Sequence, residues 1–114
     1  MRETLPMKRG EVWWVEFDPS VGSEIRKTRP GVIVSNDAAN RHLARVVVVP
    51  LTSQTGRQYP SETLVTVAGQ TSKAMADQIM AADKSRLKRR LGVLSKTDLL
   101  DVEDAIKLHL GLPM

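Results

Sequence analysis

The chain has 114 residues, a formal net charge of +4 and no cysteine. The length suits a single domain over residues 1–114, and a hydrophobic fraction of 41% is enough for a buried core without staples. Without cysteine, disulfides and thiolate metal sites are excluded, so we expect a cytoplasmic protein. The positive charge favours an anionic partner such as nucleic acid.

The N-terminal segment is polar and basic, so we expect no signal peptide there and a flexible stretch over residues 1–8. No stretch of the chain approaches the roughly 20 consecutive apolar residues that a membrane-spanning helix needs. We therefore expect no membrane association.

Short strands dominate the first ninety residues. Glu11–Phe17 is rich in β-branched and aromatic residues and has apolar side chains on both faces. A polar loop over residues 20–28 separates it from the apolar segment 31–34. The other predicted elements are a helical turn over 37–41 capped by Ser35 or Asn36, a buried strand over 46–51, a polar loop over 52–60, and strands over 62–67, 74–79 and 91–94.

The C-terminal segment is the clearest helix. Ser95 and Asp98 have the spacing of a capping box, and Gly111 and Pro113 are typical stop signals. One apolar stripe at helical spacing is formed by Leu99, Val102, Ile106 and Leu110. Five or more short strands followed by one helix predict a mainly β fold, a small, strongly bent sheet or barrel capped by the helix.

Two polar segments adjoin buried strands and carry the candidate reactive groups, one over residues 22–30 and one over residues 50–54. Arg29 stands at a junction between loop and strand. Pro30 biases its backbone toward an extended conformation, and the apolar strand that follows anchors it. Its guanidinium group is therefore suited to present a fixed fork of donors to a phosphate.

Eight short motifs occur in one order along the chain: Gly10-Glu-Val-Trp13, Phe17-Asp-Pro19, Gly22-Ser-Glu24, Thr28-Arg-Pro30, Val32-Ile-Val-Ser35, Val49-Pro-Leu-Thr-Ser53, Tyr59-Pro60 and Ala76-Asp-Gln78. This succession resembles the MazF/PemK/Kid family of toxin endoribonucleases from about residue 9 to residue 110. The resemblance implies an SH3-like barrel of the plasmid-maintenance-toxin type, with short helices and a C-terminal helix. It also implies a homodimer that cleaves single-stranded RNA without metal or other cofactor and is neutralised by a MazE-like antitoxin.

The same resemblance assigns individual residues. Arg29 matches an arginine essential for cleavage, Thr52 matches a threonine at the end of the third strand, and Glu24 matches an acidic residue of the first long loop. Residues assigned to RNA binding are Ser53, Gln54, Lys27 and the pair Asp77 and Gln78, which matches an aspartate–glutamine pair in a later strand. The chain departs from the pattern at Met75, where some members have an arginine.

Metal-free RNA cleavage uses the ribose 2′-OH as nucleophile on the adjacent phosphate. The reaction needs a base for that hydroxyl, an acid for the leaving oxygen and a cation for the charge that develops on phosphorus. Arg29 suits the cation role, Thr52 can hydrogen-bond a phosphate oxygen, and Glu24 is the nearby candidate base. The acid stays open, because arginine is a poor proton donor at neutral pH.

Two other functions remain as alternatives, a non-enzymatic inhibitor on the same fold, like the gyrase-poisoning toxins, and a plain RNA-binding module. His42 and His109 match no family site residue, and we interpret them as structural or surface residues. Trp13 and Trp14 face opposite ways along a strand, so one is expected in the core and the other at a dimer contact. We interpret the basic run 84–90 as a solvated face, with phosphate tracking or an acidic antitoxin segment as alternatives.

Overall fold

The computed structural model describes residues 6–17 and 27–114, with only the backbone described at Lys27. Strands in these ranges are β1 (Glu11–Phe17), β2 (Lys27–Ile33), β3 (Arg45–Thr52), β4 (Glu62–Val67), β5 (Gln70–Met75), β6 (Met80–Asp83) and β7 (Leu87–Val93). The helices are α1 (Asp37–His42) and α2 (Lys96–Leu110), and 3₁₀ turns lie at Ala76–Gln78 and Lys84–Arg86.

The strands form one antiparallel sheet in the order β4-β5-β3-β2-β1-β7, and β6 pairs with β3. The mainly β fold with a terminal helix is therefore confirmed. The predicted barrel fits only loosely, because in the described ranges no hydrogen-bonded ladder joins β4 to β7. The two strands do approach each other: a Cβ placed on Gly92 of β7 would lie 2.9 Å from a methyl group of Val67 in β4.

The sheet buries apolar side chains on both faces. One cluster lies between the sheet and α2, and its buried members include Val12, Val32, Leu51 and Val102. The residues of the second cluster alternate with these along β1 and β2: Trp13, Val15 and Ile33, joined by Val46, Val48, Ala82 and Leu87, with Met7 and Phe17 packed against it. The apolar side chains predicted on both faces of Glu11–Phe17 are confirmed. Met7 belongs to the N-terminal stretch expected to be flexible, and it packs against the second cluster.

The C-terminal helix begins after Ser95 and ends before Gly111, as its sequence predicts, but only the Ser95 half of the capping box forms. The Ser95 hydroxyl accepts from the Asp98 backbone N–H, and Gly111 ends the helix with φ 70°, a conformation that favours glycine. One Asp98 carboxylate oxygen accepts from the Thr66 backbone N–H at 2.9 Å, which ties α2 to β4. The predicted stripe is wrong at Leu110, which is 52% exposed because it lies in the last turn, beyond the sheet. Neither helix of the described residues is long and apolar enough to cross a membrane.

Three predicted elements have different bounds in the structure. The apolar segment expected over 31–34 is part of β2, which begins at Lys27 because the residues before Pro30 pair with β1, so residues 27 and 28 of the expected polar loop belong to the strand. The strand expected over 74–79 is wrong: β5 ends at Met75, a 3₁₀ turn follows, and β6 begins at Met80. The reason is a two-residue hairpin turn in which Ala68 and Gly69 both have positive φ, 53° and 77°, so that the returning strand starts as early as Gln70. The last strand, expected over 91–94, begins at Leu87 and takes in the end of the basic run.

The ladder between β2 and β3 ends before either strand does. Its last pair is Gly31 with Pro50, although β2 extends back to Lys27 and β3 extends forward to Thr52. Neither Pro30 nor Pro50 has a backbone N–H, so two donors are missing where the strands separate. The sheet therefore opens at this point, beside the residues that precede Pro30 and follow Pro50.

Val102 is the fully buried residue of α2, and truncating it tests how the helix is held to the sheet. We expect Val102→Ala to lower the free energy of unfolding by about 2 kcal/mol, because it removes buried methyl groups and leaves a cavity. The matched control Leu100→Ala, on the exposed side of the same helix, should change it by less than about 0.5 kcal/mol. Urea denaturation of both variants measures the difference, and equal losses would contradict this packing.

Candidate active site

A cavity of about 590 Å³ opens where β2 and β3 separate. It is bounded by the first half of β2, the end of β3, the β4–β5 hairpin turn, and side chains of β1 and β7. The lining residues are Trp14, Thr28, Arg29, Pro30, Leu51, Thr52, Ser53, Gln54, Val67, Ala68, Gln70, Ser72 and Leu91. Four residues that the sequence assigned to catalysis or RNA binding, Arg29, Thr52, Ser53 and Gln54, thus lie at one cavity.

Arg29 faces Thr52 across the opening. It is half-buried in β2, where it pairs with Val15 of β1. The register that pairs Gly31 with Pro50, continued by two residues, places Arg29 opposite Thr52 on the same face of the sheet. The Arg29 side chain forms no hydrogen bond or ion pair with any other described residue. Its five N–H donors are therefore available to an anion in the cavity.

The Thr52 hydroxyl group is oriented by the chain that follows it. The backbone N–H of Gln54 donates to the Thr52 Oγ1 atom at 3.2 Å. A hydroxyl that accepts one hydrogen bond still has its own proton to donate, so Thr52 can donate to a phosphate oxygen that Arg29 also binds. Ser53 and Gln54 are exposed and add further polar groups at the cavity edge.

The described residues that line the cavity carry positive but no negative charge. No aspartate or glutamate of the described residues lines it, whereas Arg29 does. Trp14 forms part of the wall, and the Arg89 guanidinium carbon lies 5.9 Å from the centre of its ring, a cation–π arrangement. Trp14 thus lies at the cavity and Trp13 in the core. The site is suited to a polyanion that also carries aromatic rings.

A polar loop, residues 53–60, runs from Thr52 to the start of β4 and is referred to as the β3–β4 loop. Glu62 accepts from the Tyr59 backbone N–H at 2.9 Å and pairs with the Lys73 ammonium at 3.1 Å. The Tyr59 hydrogen bond, followed by the bond and charge of Lys73, lowers the pKa of Glu62 below its ordinary value of 4.5, against the effect of burial. Glu62 therefore stays ionised at neutral pH.

The other predicted site residues lie elsewhere. Asp77 and Gln78 are exposed in the 3₁₀ turn after β5, not in a strand as predicted, and they do not line the cavity. The turn forms because the chain must leave β5 and rejoin β3 through β6. Glu24 lies outside the described residues, as does the side chain of Lys27. Met75, at the position where some relatives have an arginine, is buried.

The histidines take structural or surface positions, as predicted, whereas the basic run differs in part from its prediction. His42 is exposed at the end of α1, and His109 in α2 lies 3.1 Å from the Ser61 hydroxyl. The basic run is not simply a solvated face, because Lys84 and Arg86 are half-buried and donate to backbone carbonyl groups of Asn40 and Glu16.

Sequence reasoning missed part of the cavity wall because it missed β5. Gln70 and Ser72 line the cavity from this strand, and Lys73 contacts the β3–β4 loop from it. The signal was present in Ala68-Gly69, two residues that link alternating segments and suit a tight hairpin turn. The polar composition of β5 obscured it.

The arrangement has the groups that phosphodiester cleavage through the 2′-OH requires for charge stabilisation. A guanidinium group and a hydroxyl group line one cavity. The reaction also needs a base for the 2′-hydroxyl and an acid for the leaving oxygen, and the described lining residues include no carboxylate or histidine for these roles. Among the described residues, no group of three or more histidine, cysteine or acidic side chains is placed to hold a metal ion.

Comparison with known proteins identifies related sequences and structures. Residues 8–110 match the model of the family described as "PemK-like, MazF-like toxin of type II toxin-antitoxin system". Endoribonuclease MazF9 of Mycobacterium tuberculosis is 42% identical in an alignment 115 residues long, and this alignment covers 93% of this chain and 98% of that protein. The solved structure of an endoribonuclease from a mycobacterial species is 31% identical with a TM-score of 0.80, covering 96% of this chain and 95% of the other. A mycobacterial endoribonuclease solved with its cognate antitoxin is 32% identical with a TM-score of 0.77, covering 94% and 97%.

The lowered pKa of Glu62 makes part of the stability depend on pH. A carboxyl group whose pKa is lower in the folded state stabilises the protein above pH 4.5, and this contribution is lost as the pH falls through the folded pKa. We expect Glu62→Gln to destabilise the protein at pH 7 and to differ less from the unmodified chain at pH 3. Urea unfolding at the two pH values measures this, with the exposed Asp101→Asn as control. A difference that stays constant between them would contradict the role given to the Glu62 charge.

Proposed function

Because the chain belongs to the PemK-like, MazF-like toxin family of type II toxin–antitoxin systems, we propose that it is an endoribonuclease that cleaves single-stranded RNA at preferred sequences without a metal ion. The observation that carries the proposal is the placement of Arg29 and Thr52 at one cavity that has no acidic lining residue among those described. A guanidinium group beside a hydroxyl donor, with no acidic neighbour among the described residues, is suited to bind a phosphate group.

The reaction begins with an RNA strand in the cavity and its scissile phosphate between Arg29 and Thr52. The 2′-oxygen loses its proton and forms a bond to phosphorus, and the bond from phosphorus to the 5′-oxygen breaks as that oxygen takes up a proton. The products are a 2′,3′-cyclic phosphate and a 5′-hydroxyl end. Arg29 stabilises the extra negative charge on the phosphoryl oxygens in the transition state, and Thr52 donates a hydrogen bond to one of them.

Glu24 is the proposed base for the 2′-hydroxyl, on the family pattern, and it lies outside the described residues. Ser53 and Gln54 are proposed to bind the RNA beside the cut, since both line the cavity. Lys27, Asp77 and Gln78 remain proposed RNA-binding residues. Asp77 and Gln78 would contact a part of the strand beyond the cavity, because they lie in the turn after β5.

In the cell, the proposed target is mRNA in the cytoplasm, and its cleavage would arrest translation. A homodimer and a cognate antitoxin are the proposed protein partners, as a mycobacterial relative was solved with its antitoxin. An acidic antitoxin segment would be attracted to the same uncompensated charge of Arg29 that binds RNA.

Replacing Arg29 tests the proposal. We expect Arg29→Ala to lower kcat/KM on a single-stranded RNA by roughly 100- to 1,000-fold, because one preorganised donor to the transition-state charge is lost. Thr52→Val removes only the hydroxyl group and should cost roughly 10- to 100-fold. Gel assays of end-labelled RNA measure the rates, and primer extension maps the cut site.

The matched control is Arg41→Ala, which removes an exposed arginine of α1 outside the cavity. It should cleave at the rate of the unmodified chain. A folded Arg29→Ala variant that also cleaves at that rate would overturn the proposal, as would a purified protein that retains RNA without cutting it.

Metal removal gives an independent test. Because Arg29 supplies the positive charge at the phosphate, we expect full cleavage in excess EDTA, with 2′,3′-cyclic phosphate and 5′-hydroxyl ends identified by mass spectrometry. Cleavage that stops in EDTA and returns with added Mg²⁺ would contradict the metal-free mechanism.

A further inference from the structure

Lys73 is a buried cation that the proposed reaction does not use. Its side chain in β5 is only 10% exposed, and the residue pairs with Thr52 in the β3–β5 ladder. A buried ammonium group needs a charged partner and saturated hydrogen bonds, because its desolvation is costly. Both partners come from the part of the chain that follows Thr52: the Glu62 carboxylate supplies the charge and the Arg57 carbonyl accepts a hydrogen bond.

The contacts of Lys73 span the β3–β4 loop. Its Nζ atom donates to the Arg57 backbone carbonyl at 2.6 Å and pairs with the Glu62 carboxylate at 3.1 Å. The same carboxylate oxygen accepts from the Tyr59 backbone N–H, and the Glu62 carbonyl accepts from the Gln58 side chain. The two side chains of this buried ion pair therefore bind the backbone at Arg57 and Tyr59. They do so in a loop whose own side chains are exposed.

Within the described residues, the loop has few other attachments to the rest of the protein. Arg57 and Tyr59 contact each other, by a 3.1 Å hydrogen bond and a cation–π contact, but both belong to the loop. At its start, Ser53 and Gln54 line the cavity directly after Thr52. The loop is thus held at its far end from two strands: by Lys73 of β5, which lies next to Thr52 on the side away from β2, and by Glu62 of β4, whose backbone N–H also donates to the Tyr59 carbonyl at 2.9 Å.

We propose that Lys73, paired with Glu62, is a positioning residue that holds the β3–β4 loop in the shape in which Ser53 and Gln54 meet the RNA. The inference rests on the proposed endoribonuclease function and adds to it a determinant of sequence preference. Lys73 does not touch the phosphate. It acts through the Arg57 carbonyl and the Glu62 carboxylate on the part of the loop that contacts bases next to the cut.

Lys73→Met keeps the length of the side chain and removes its charge and donors. We expect kcat/KM on the preferred RNA to fall roughly 10- to 100-fold, because a displacement of about 1 Å in a binding loop has effects of that size. The fall should come mainly from KM, since Arg29 and Thr52 are untouched. Sequencing of the cut ends should show a broader set of cleavage sites, which a loss of stability alone would not produce.

Glu62→Gln and the double variant separate the ion pair from its members. If the pair acts as one unit, Lys73→Met/Glu62→Gln loses no more activity than the more affected single variant. Losses that multiply would contradict the proposal. The matched control is Glu103→Gln. Glu103 of α2 forms a partly buried ion pair with Arg9 and does not line the cavity. It should keep both the rate and the cleavage sites.

Limited digestion with trypsin measures how well the β3–β4 loop is held in the absence of RNA. Lys73 holds the carbonyl of Arg57, so the Arg57–Gln58 bond should be cut several times faster in folded Lys73→Met than in the unmodified chain or Glu103→Gln. If the chain cleaves no RNA at all, the proposed function fails while this result still stands. If the chain cleaves RNA but Lys73→Met keeps the same sites, the same KM and the same trypsin rate, the positioning role is overturned alone.

Discussion

The structure depends on where the β2–β3 ladder ends. Backbone pairing stops at Gly31 and Pro50, and the two prolines near this point, Pro30 and Pro50, have no N–H to continue it. Beyond this pair β2 extends back to Lys27 and β3 extends forward to Thr52, and these ends are extended and held by other partners, β1 for β2 and β5 for β3. An opening in the sheet with rigid walls results, and its walls carry Arg29 and Thr52.

This constraint explains why the site is both rigid and charged. Arg29 is fixed through the β1 ladder and has no acidic neighbour among the described residues, so its charge is directed at whatever enters the cavity. Thr52 is fixed through the β5 ladder, and its partner in that ladder, Lys73, is paired with Glu62. We therefore propose different tasks for the two cations on opposite sides of β3. Arg29, which has no side-chain partner among the described residues, binds phosphate, and Lys73, neutralised by Glu62, shapes the loop.

Much of the fold could be predicted from local patterns, and the site only from a resemblance. The apolar residues on both faces of Glu11–Phe17 predicted β1, and the Ser95 cap with the apolar stripe after it predicted α2. Both predictions succeed because each pattern depends on a local conformational preference. The strand predicted over 74–79 was wrong because β5 is polar and its start is set by a tight turn at Ala68 and Gly69. The Lys73–Glu62 pair joins residues on neighbouring strands, and the periodicity of a single strand carries no information about such a contact.

We propose that one phosphate is bound jointly by Arg29 and Thr52 at the open end of the β2–β3 ladder. The most direct measurement is a crystal structure of the protein with an RNA carrying a single 2′-deoxy substitution at the cleavage position, which blocks the attack. We expect the scissile phosphate to lie within hydrogen-bonding distance of the Arg29 guanidinium and the Thr52 Oγ1 atom, with the neighbouring bases against Ser53 and Gln54. A scissile phosphate bound away from both side chains would contradict it.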